Sequence, residues 1–257
     1  MTAAGVLTGL GRGVEVAAEC VGEAVGYVRD AVDGDARRDL AWMPLLALAS
    51  VGPRFPAPKA LADDGHRPVV FVHGLAGYRG NFAPMRAWFS LHGRTRTYAL
   101  GLPAGTLLEQ ADVLVRYLAD VAAVNGLGAG QVDLVGHSAG GVVSRLALRD
   151  PATAARVHTL VTLGTPHGGT WAARFAGGRI SSALRTDSAV IARLEADVPW
   201  RKRTRLVCFW SPSDPLMQPA ETARVEGADN REIAGFSHLD WVMRRAAWMA
   251  VERTLAE

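Results

Sequence analysis

The sequence predicts an α/β fold with a mostly parallel sheet and helices on both faces. After Pro68, short apolar runs alternate with stretches in which apolar residues recur at helical spacing. The apolar runs are continuous rather than alternating with polar residues, as expected for parallel strands buried on both faces. Because no shift in composition divides this part of the 257-residue chain, one large domain is expected over residues 66–257.

Six apolar runs predict the strands of the sheet. They are expected at residues 69–72, 96–100, 131–135, 157–163, 205–210 and 231–234. Helical spacing fills the intervals and predicts helices at residues 81–91, 107–124, 139–149 and 239–254. In the longest of these, Leu107, Ala111 and Leu114 fall on one face. Pro151 is expected to end the third helix, since proline cannot continue one.

The stretch between the fourth and fifth strands fits this alternation poorly. Residues 168–204 carry glycine, arginine and serine, with short helical pieces such as residues 188–194. Their position between two strands predicts a short cap or lid inserted into the domain. Several aromatic side chains are expected either in the core or along an apolar cleft: Phe82, Trp171, Phe175, Trp200 and Trp210.

Residues 1–65 differ in composition and are expected to form an N-terminal helical extension and a linker. Residues 6–32 carry apolar residues along one face and glycines spaced by four, which predicts a helix that packs closely on a neighbour. That neighbour is either the domain's own core or, alternatively, a partner or a membrane surface. Residues 52–68 are rich in proline and polar residues, so they are expected to lead into the first strand as a connector.

Charge and cysteine content argue against several classes of function. The formal net charge is +3, and the basic residues, nearly all arginine, are spread among a similar number of acids. No interleaved aromatics accompany the basic run at residues 201–205, so no nucleic-acid partner is expected. Cys20 and Cys208 form no disulfide framework, and the apolar run around Cys208 predicts a buried thiol.

Neither a secretion signal nor a membrane-spanning segment is expected from the first residues and the apolar stretches of the chain. The first ten residues lack the positive charge that opens a secretion signal. The longest apolar stretch, residues 40–52, contains Pro44 and is too short to span a bilayer. The expected location is the cytoplasm, with peripheral membrane contact through the N-terminal helix as an alternative.

A G-x-S-x-G pattern lies at the junction of a predicted strand and a predicted helix. It is Gly136-His137-Ser138-Ala139-Gly140, and this context is that of a nucleophile elbow. The serine must occupy a sharp, strained turn so that its hydroxyl projects above the sheet. Residues two positions away on either side must be small to avoid the adjacent strand and helix. The pattern therefore predicts Ser138 as a catalytic nucleophile.

A serine hydroxyl needs a base, and the base needs a carboxylate to orient it. His238 lies between the last strand and the last helix, where a loop at the carboxyl edge of the sheet is expected. His137 is adjacent to Ser138, but its side chain is expected to point away. Asp214 follows the fifth strand directly and is the predicted acid. The alternative acids are Asp187, Asp197 and Asp229.

The negative charge of a tetrahedral intermediate needs hydrogen-bond donors. One is expected to be the backbone N–H of Ala139, which follows the nucleophile. The other is expected from the loop after the first strand, where Leu75 N–H is the candidate. His73 is expected to shape this loop by hydrogen bonding and not to act as a base.

These motifs together resemble bacterial lipases and esterases of the α/β-hydrolase superfamily. The matching pieces are VVFVHGLAG, VDLVGHSAGG, LVTLGTPHGGT, SPSDPLMQP and GFSHLDW, spread over residues 66–257. The resemblance implies an α/β-hydrolase fold and a triacylglycerol-lipase-like activity. It places the family's nucleophile, acid and base on Ser138, Asp214 and His238, and its oxyanion donors on Leu75 and Ala139. The loop after the first strand reads HGLAG where many relatives have HGGG.

The expected function is a serine carboxylester hydrolase that cleaves an apolar acyl ester through an acyl-enzyme intermediate. Its partner would be a small-molecule ester or lipid, and neither a metal nor an organic cofactor is expected. The same triad would also serve an acyltransferase or a thioesterase. A further alternative is a non-catalytic lipid-binding protein on a hydrolase scaffold.

Overall fold

The computed structural model describes residue 39 and residues 57–75, 77–175, 177–196 and 199–257. Its centre is a sheet of six strands in the order β2-β1-β3-β4-β5-β6, and all five neighbouring pairs are parallel. The strands are β1 (Val69–Val72), β2 (Thr97–Leu100), β3 (Val132–His137), β4 (Val157–Leu163), β5 (Arg205–Trp210) and β6 (Asp229–Glu232).

The helices of the described residues connect these strands. They are α1 (Ala83–Leu91), α2 (Leu107–Val124), α3 (Ala139–Ala147), α4 (Pro151–Arg156), α5 (Arg179–Ala183), α6 (Ala189–Glu195), α7 (Asp240–Met243) and α8 (Arg245–Ala256). Short 3₁₀ helices lie at Arg79–Phe82, Trp171–Arg174, Pro199–Lys202 and Ala220–Ala223. Within the described ranges, none of the helices has the length and apolar content needed to cross a bilayer.

Apolar side chains are buried on both faces of the sheet, which confirms the predicted architecture. On one face, Val70 and Val72 pack with Leu114 of α2. On the other, Phe71 packs in a cluster with Trp241 of α7. A strand buried on both faces must be apolar at successive positions. This is why the continuous run at β1 marked its location in the sequence.

Local signals fix the ends of α2. Thr106 accepts a hydrogen bond from Glu109 N at 3.2 Å, and Glu109 Oε2 accepts from Thr106 N at 2.7 Å. This reciprocal capping box satisfies two backbone donors that the first helical turn would otherwise leave unpaired. The helix spans the residues that its apolar spacing predicted.

Several predicted boundaries differ from the structure. The predicted helix 139–149 ends at Ala147, and Pro151 starts α4 at a position where its missing N–H has no cost. The predicted helix 239–254 is two helices, because Arg244 is extended with φ −97° and ψ 134°. Strand β6 begins at Asp229, two residues before its predicted start, and pairs with β5 along polar residues.

The order of the strands produces a crevice in which a functional site can lie. The chain runs from β1 outward to β2 and then crosses back to β3 on the other side of β1. A crevice forms outside the carboxyl ends of the strands where the connections diverge in this way. His73 follows β1 at this point, and Ser138 follows β3.

Candidate active site

Ser138 occupies a strained turn between β3 and α3. Its backbone has φ 54° and ψ −130°, and it is the only residue other than glycine with positive φ in the part of the chain that the structure describes. Such a conformation costs free energy and persists only where the surrounding structure enforces it. Here Ser138 N donates to the carbonyl oxygen of Leu163 at the end of β4, at 2.9 Å.

Glycines at three positions allow this turn to pack against its neighbours. A Cβ at Gly136 would lie 2.7 Å from Cα of Gly141, and one at Gly140 would lie 2.2 Å from the carbonyl oxygen of Val72. A Cβ at Gly74 would lie 2.7 Å from Cβ of Ser138. The loop after β1 therefore passes directly against the serine.

We expect Gly140→Ala to lower the free energy of unfolding by about 3 kcal/mol or more, because the added methyl meets rigid backbone that cannot move aside. The matched control is Gly128→Ala, where the nearest atom would be a side-chain oxygen at 3.6 Å and the expected change is within about 0.5 kcal/mol. Urea unfolding of both variants measures the difference. Equal stabilities would contradict the tight packing of the turn.

His238 and Asp214 form a buried pair. His238 Nδ1 lies 3.0 Å from Asp214 Oδ2 and 3.1 Å from Oδ1, and both side chains are almost fully buried. The Asp214 carboxylate also accepts from Leu216 N at 3.0 Å and from Trp241 Nε1 at 3.1 Å. An acceptor facing Nδ1 places the imidazole proton on Nδ1, which leaves Nε2 able to take a proton.

The environment of His238 favours its protonated form. Burial disfavours the charge of the imidazolium, but the negative charges of Asp214 and Asp39 and the hydrogen bond to Asp214 outweigh it and raise the pKa of His238. A base with a raised pKa has a stronger affinity for the proton that a serine hydroxyl must release.

The alternative acids lie elsewhere or outside the described residues. Asp187 is exposed and lies 3.7 Å from Arg174. Asp229 starts the edge strand β6 and pairs with Arg205 and Arg231. Asp197 is outside the residues that the structure describes.

The serine and the His–Asp pair lie at the same edge of the sheet. His137, adjacent to Ser138, stacks its ring 4.7 Å from that of His238 and has Nε2 3.0 Å from the His238 carbonyl oxygen. Gly164 directly follows Leu163, and a Cβ there would lie 2.8 Å from Asp214 Oδ2. The residues after β3, β4 and β5 thus converge around one point.

The loop after β1 is held by His73. Leu102 N donates to His73 Nε2 at 3.0 Å, so Nδ1 carries the proton and donates to Gly74 O at 2.9 Å. Burial lowers the pKa of His73 to about 4, which keeps this ring neutral near pH 7. Leu75 follows Gly74 next to the serine, and Ala139 is the first residue of α3 on the other side.

Several residues around His238 were not predicted from the sequence. His137 was expected only to point away, but its ring supports the His238 backbone. Ser211 accepts from Phe236 N at 3.1 Å, and Trp241 donates to Asp214. Asp39 lies in the predicted extension and contacts the same loop. No pattern in the residues around Asp39 marks it as a functional residue. Trp241 belongs to the GFSHLDW segment that contains His238, so that segment was a signal for it.

Another buried histidine, His167, supports the chain after β4. Arg145 Nη1 donates to His167 Nδ1 at 3.2 Å, so the opposite nitrogen, Nε2, carries a proton and donates to Thr162 Oγ1 at 2.9 Å. Burial holds the pKa of His167 well below its usual value. Cys208, 3.5 Å from the same ring, is a free buried thiol whose pKa burial raises to about 11, so it is unreactive. Cys20 is outside the described residues.

The candidate cleft aromatics divide into buried, half-buried and exposed side chains. Phe82 and Trp200 are buried in the core, and Trp210 is half-buried with Arg224 5.3 Å from its ring. Trp171 and Phe175 are 56% and 79% exposed. Trp171 N donates to Gln218 O at 2.8 Å, which ties this exposed segment to the loop that carries Asp214.

Parts of the sequence are similar to a known protein family and to known lipase and deacylase sequences. The model of the PGAP1-like alpha/beta domain matches residues 79–175. A triacylglycerol lipase of Burkholderia plantarii is 31% identical over 170 residues, covering 59% of this chain and 45% of that protein. A putative GPI inositol-deacylase C of Yarrowia lipolytica is 40% identical over 85 residues, covering 32% and 9%. The chain spans less than half the length of these relatives.

Solved structures share the fold. The mature Bacillus licheniformis lipase BlEst2 superposes with a TM-score of 0.63 at 20% identity, covering 77% of this chain and 95% of that one. Aspergillus fumigatus lipase B superposes with a TM-score of 0.62 at 16% identity, covering 79% and 55%. The chain has the α/β-hydrolase fold, which confirms the predicted fold class, and its sequence relatives include triacylglycerol lipases, as the motifs implied.

Proposed function

We propose that this protein is a serine carboxylester hydrolase that cleaves an apolar acyl ester through an acyl-enzyme intermediate. One observation carries the proposal: a serine on a strained turn lies at the same sheet edge as a buried histidine–aspartate pair. The lipase relatives support an ester or lipid substrate. The proposed roles are nucleophile for Ser138, base for His238 and orienting acid for Asp214.

In the first step, Ser138 Oγ attacks the ester carbonyl while His238 Nε2 takes the hydroxyl proton. The Asp214 carboxylate stabilises the imidazolium that forms. The negative carbonyl oxygen would accept from the backbone N–H groups of Leu75 and Ala139, each of which is worth about 3 kcal/mol in the transition state. The C–O bond to the alcohol then breaks, and His238 returns the proton to the leaving oxygen.

In the second step, a water molecule attacks the acyl-serine ester and gives its proton to His238 Nε2. Collapse of the second tetrahedral intermediate releases the carboxylic acid and restores the Ser138 hydroxyl with the same proton. The neutral His73 cannot compete for this role, because both of its ring nitrogens are engaged in the loop after β1.

Labelling with a fluorophosphonate probe, followed by peptide mapping, tests the proposed nucleophile, because only an activated serine reacts. We expect a single label on Ser138 together with hydrolysis of p-nitrophenyl esters. If the protein is correctly folded but unlabelled, the proposed enzymatic function is refuted. That result would favour a non-catalytic lipid-binding scaffold.

A substrate panel tests the chemical class of the acyl donor. The panel holds p-nitrophenyl esters of increasing chain length, a thioester and an acylated inositol phospholipid, the last because of the inositol-deacylase relative. The exposed side chains of Leu75, Trp171 and Phe175 favour apolar acyl chains. A higher rate with the thioester would indicate a thioesterase, and transfer of the acyl group to an added alcohol would indicate an acyltransferase.

The pH profile of kcat/KM is expected to fall on the acid side with an apparent pKa above the usual histidine value of about 6.5. The raised pKa of His238 gives this direction, since the protonated ring cannot accept a proton from Ser138. His73 and His137 have lowered pKa values and cannot produce such a limb. Rates on a neutral ester between about pH 5 and 9 measure it. A profile that stays flat down to about pH 5.5 would contradict the assignment.

A further inference from the structure

The carboxylate of Asp39 binds the loop that carries His238, although the two residues are 199 positions apart in the chain. Oδ2 accepts from His238 N at 3.2 Å. Oδ1 accepts from Leu239 N at 2.8 Å and from Ser237 Oγ at 2.8 Å. Asp39 is only 3% exposed, so these donors replace the water that a carboxylate normally binds.

The loop needs such an acceptor because it precedes α7. The first N–H groups of a helix have no partner within it, and a side chain at the N-cap usually supplies one. The N-cap of α7 is Leu239, which offers no side-chain hydrogen bond. Asp39 instead accepts from the N–H of Leu239 itself and from that of His238, which lies just before the helix.

Asp39 also completes the set of contacts around the residue proposed as the base. Asp214 binds the His238 ring, and His137 contacts the His238 carbonyl oxygen. Asp39 binds the remaining backbone group, the N–H. Each polar group of the His238 residue other than Nε2 therefore has a partner from a different segment of the chain.

We propose that Asp39 is a positioning residue for His238. Its carboxylate fixes the backbone of the base, and its charge stabilises the imidazolium that forms in each step. The inference rests on the proposed function, because it assigns Asp39 a part in the work of the same histidine. It makes a residue before the first strand part of the catalytic centre.

Burial raises the pKa of Asp39, and the nearby His238 and the donors of Ser237 and Leu239 oppose that shift. The charge of Asp39 in turn raises the pKa of His238, after the larger effects of burial and of Asp214. The ionisable groups around His238 are Asp39, Asp214 and His137. Asp240, the first residue of α7, accepts a hydrogen bond from Ser237 N. Of these groups, only Asp39 is changed in the test.

The test compares Asp39→Ala and Asp39→Asn with Asp63→Asn. Asp63 is the matched control, because it lies in the same predicted extension and is exposed, paired with Arg96 at 2.7 Å. We expect Asp39→Ala to lower kcat about 10- to 100-fold, since small displacements of a catalytic group have effects of this size. KM should change by less than about twofold, because Asp39 touches no proposed substrate position.

Asp39→Asn keeps the shape of the side chain but removes its charge. We expect the acid limb of kcat/KM to move to lower pH in this variant, because an interaction that favours protonated His238 is lost. Asp39→Glu, which keeps the charge, should restore the limb toward its original position. If Asp39 served only to hold the loop in place, its replacement would lower the melting temperature. It would neither move the acid limb of kcat/KM nor lower kcat while KM stays unchanged.

Ser237→Ala provides a second variant in case replacement of Asp39 prevents folding. It removes one of the three donors to Asp39, so a smaller loss of kcat with unchanged KM is expected. Where Asp39→Asn folds, the two losses in the double variant should be less than multiplicative, as for residues that act through one contact. Multiplicative losses would overturn the assigned link between the two side chains.

An NMR titration of the His238 ring, assigned by comparison with His238→Gln, measures the same coupling without turnover. A folded Asp39→Asn protein with wild-type kcat, acid limb and His238 titration overturns the positioning role. A wild-type protein that is inactive and unlabelled, but whose His238 titration moves to lower pH in Asp39→Asn, overturns the proposed function and supports the coupling. The two failures are therefore distinguishable.

Discussion

Replacing Ser138 with alanine is expected to lower kcat on a p-nitrophenyl ester by about 10⁴-fold or more. The variant lacks the oxygen that forms the acyl-enzyme bond, and no other described hydroxyl occupies the turn after β3. Alanine carries the same Cβ as serine and adds no steric conflict at φ 54°, so the turn and the fold should persist. Steady-state kinetics and fluorophosphonate labelling measure the loss.

Ser90→Ala is the matched control for this substitution. Ser90 is an exposed serine near the end of α1, and its removal should leave kcat and labelling unchanged. Circular dichroism and the melting temperature show whether each variant is folded. A folded Ser138→Ala protein with more than about a tenth of wild-type kcat would show that another group carries the reaction.

Asp214→Asn is expected to lower kcat about 10³- to 10⁴-fold. Three donors point at the carboxylate: His238 Nδ1, Leu216 N and Trp241 Nε1. An amide has one acceptor oxygen, so its NH₂ group would face at least one of these nitrogens. If it faces the ring, the imidazole proton moves to Nε2, which then cannot accept a proton from Ser138.

Asp187→Asn is the control, because Asp187 is the exposed alternative that the sequence left open. Its contact with Arg174 is solvent-exposed, and such pairs contribute little, so kcat should stay within about twofold of wild type. Kinetics of both variants at the pH optimum give the comparison. A large loss in Asp187→Asn and none in Asp214→Asn would reverse the proposed acid.

Trp241 offers a graded version of the same test. Trp241→Phe removes one donor to Asp214 while keeping most of the buried ring, so a smaller loss of kcat than in Asp214→Asn is expected. A loss equal to that of Asp214→Asn would show that Trp241 acts on more than the orientation of this carboxylate.

Elements whose signals are local could be predicted from the sequence. Strands β1, β4 and β5 begin and end where their apolar runs predicted, because strands buried on both faces require apolar residues throughout. Helix α2 also matches, because its apolar face and capping box lie within its own residues. The turn at Ser138 was identifiable for the same reason, since Gly136 and Gly140 lie two positions from the serine on either side.

Features that depend on distant residues are set by tertiary contacts and could not be predicted. The extended Arg244 divides the last predicted helix, and the polar strand β6 owes its position to pairing with β5. His137 and Asp39 contact the backbone of His238 from 101 and 199 residues away. A carboxylate or an imidazole in such a role carries no local pattern, because its partners are backbone groups that only folding brings within hydrogen-bond distance.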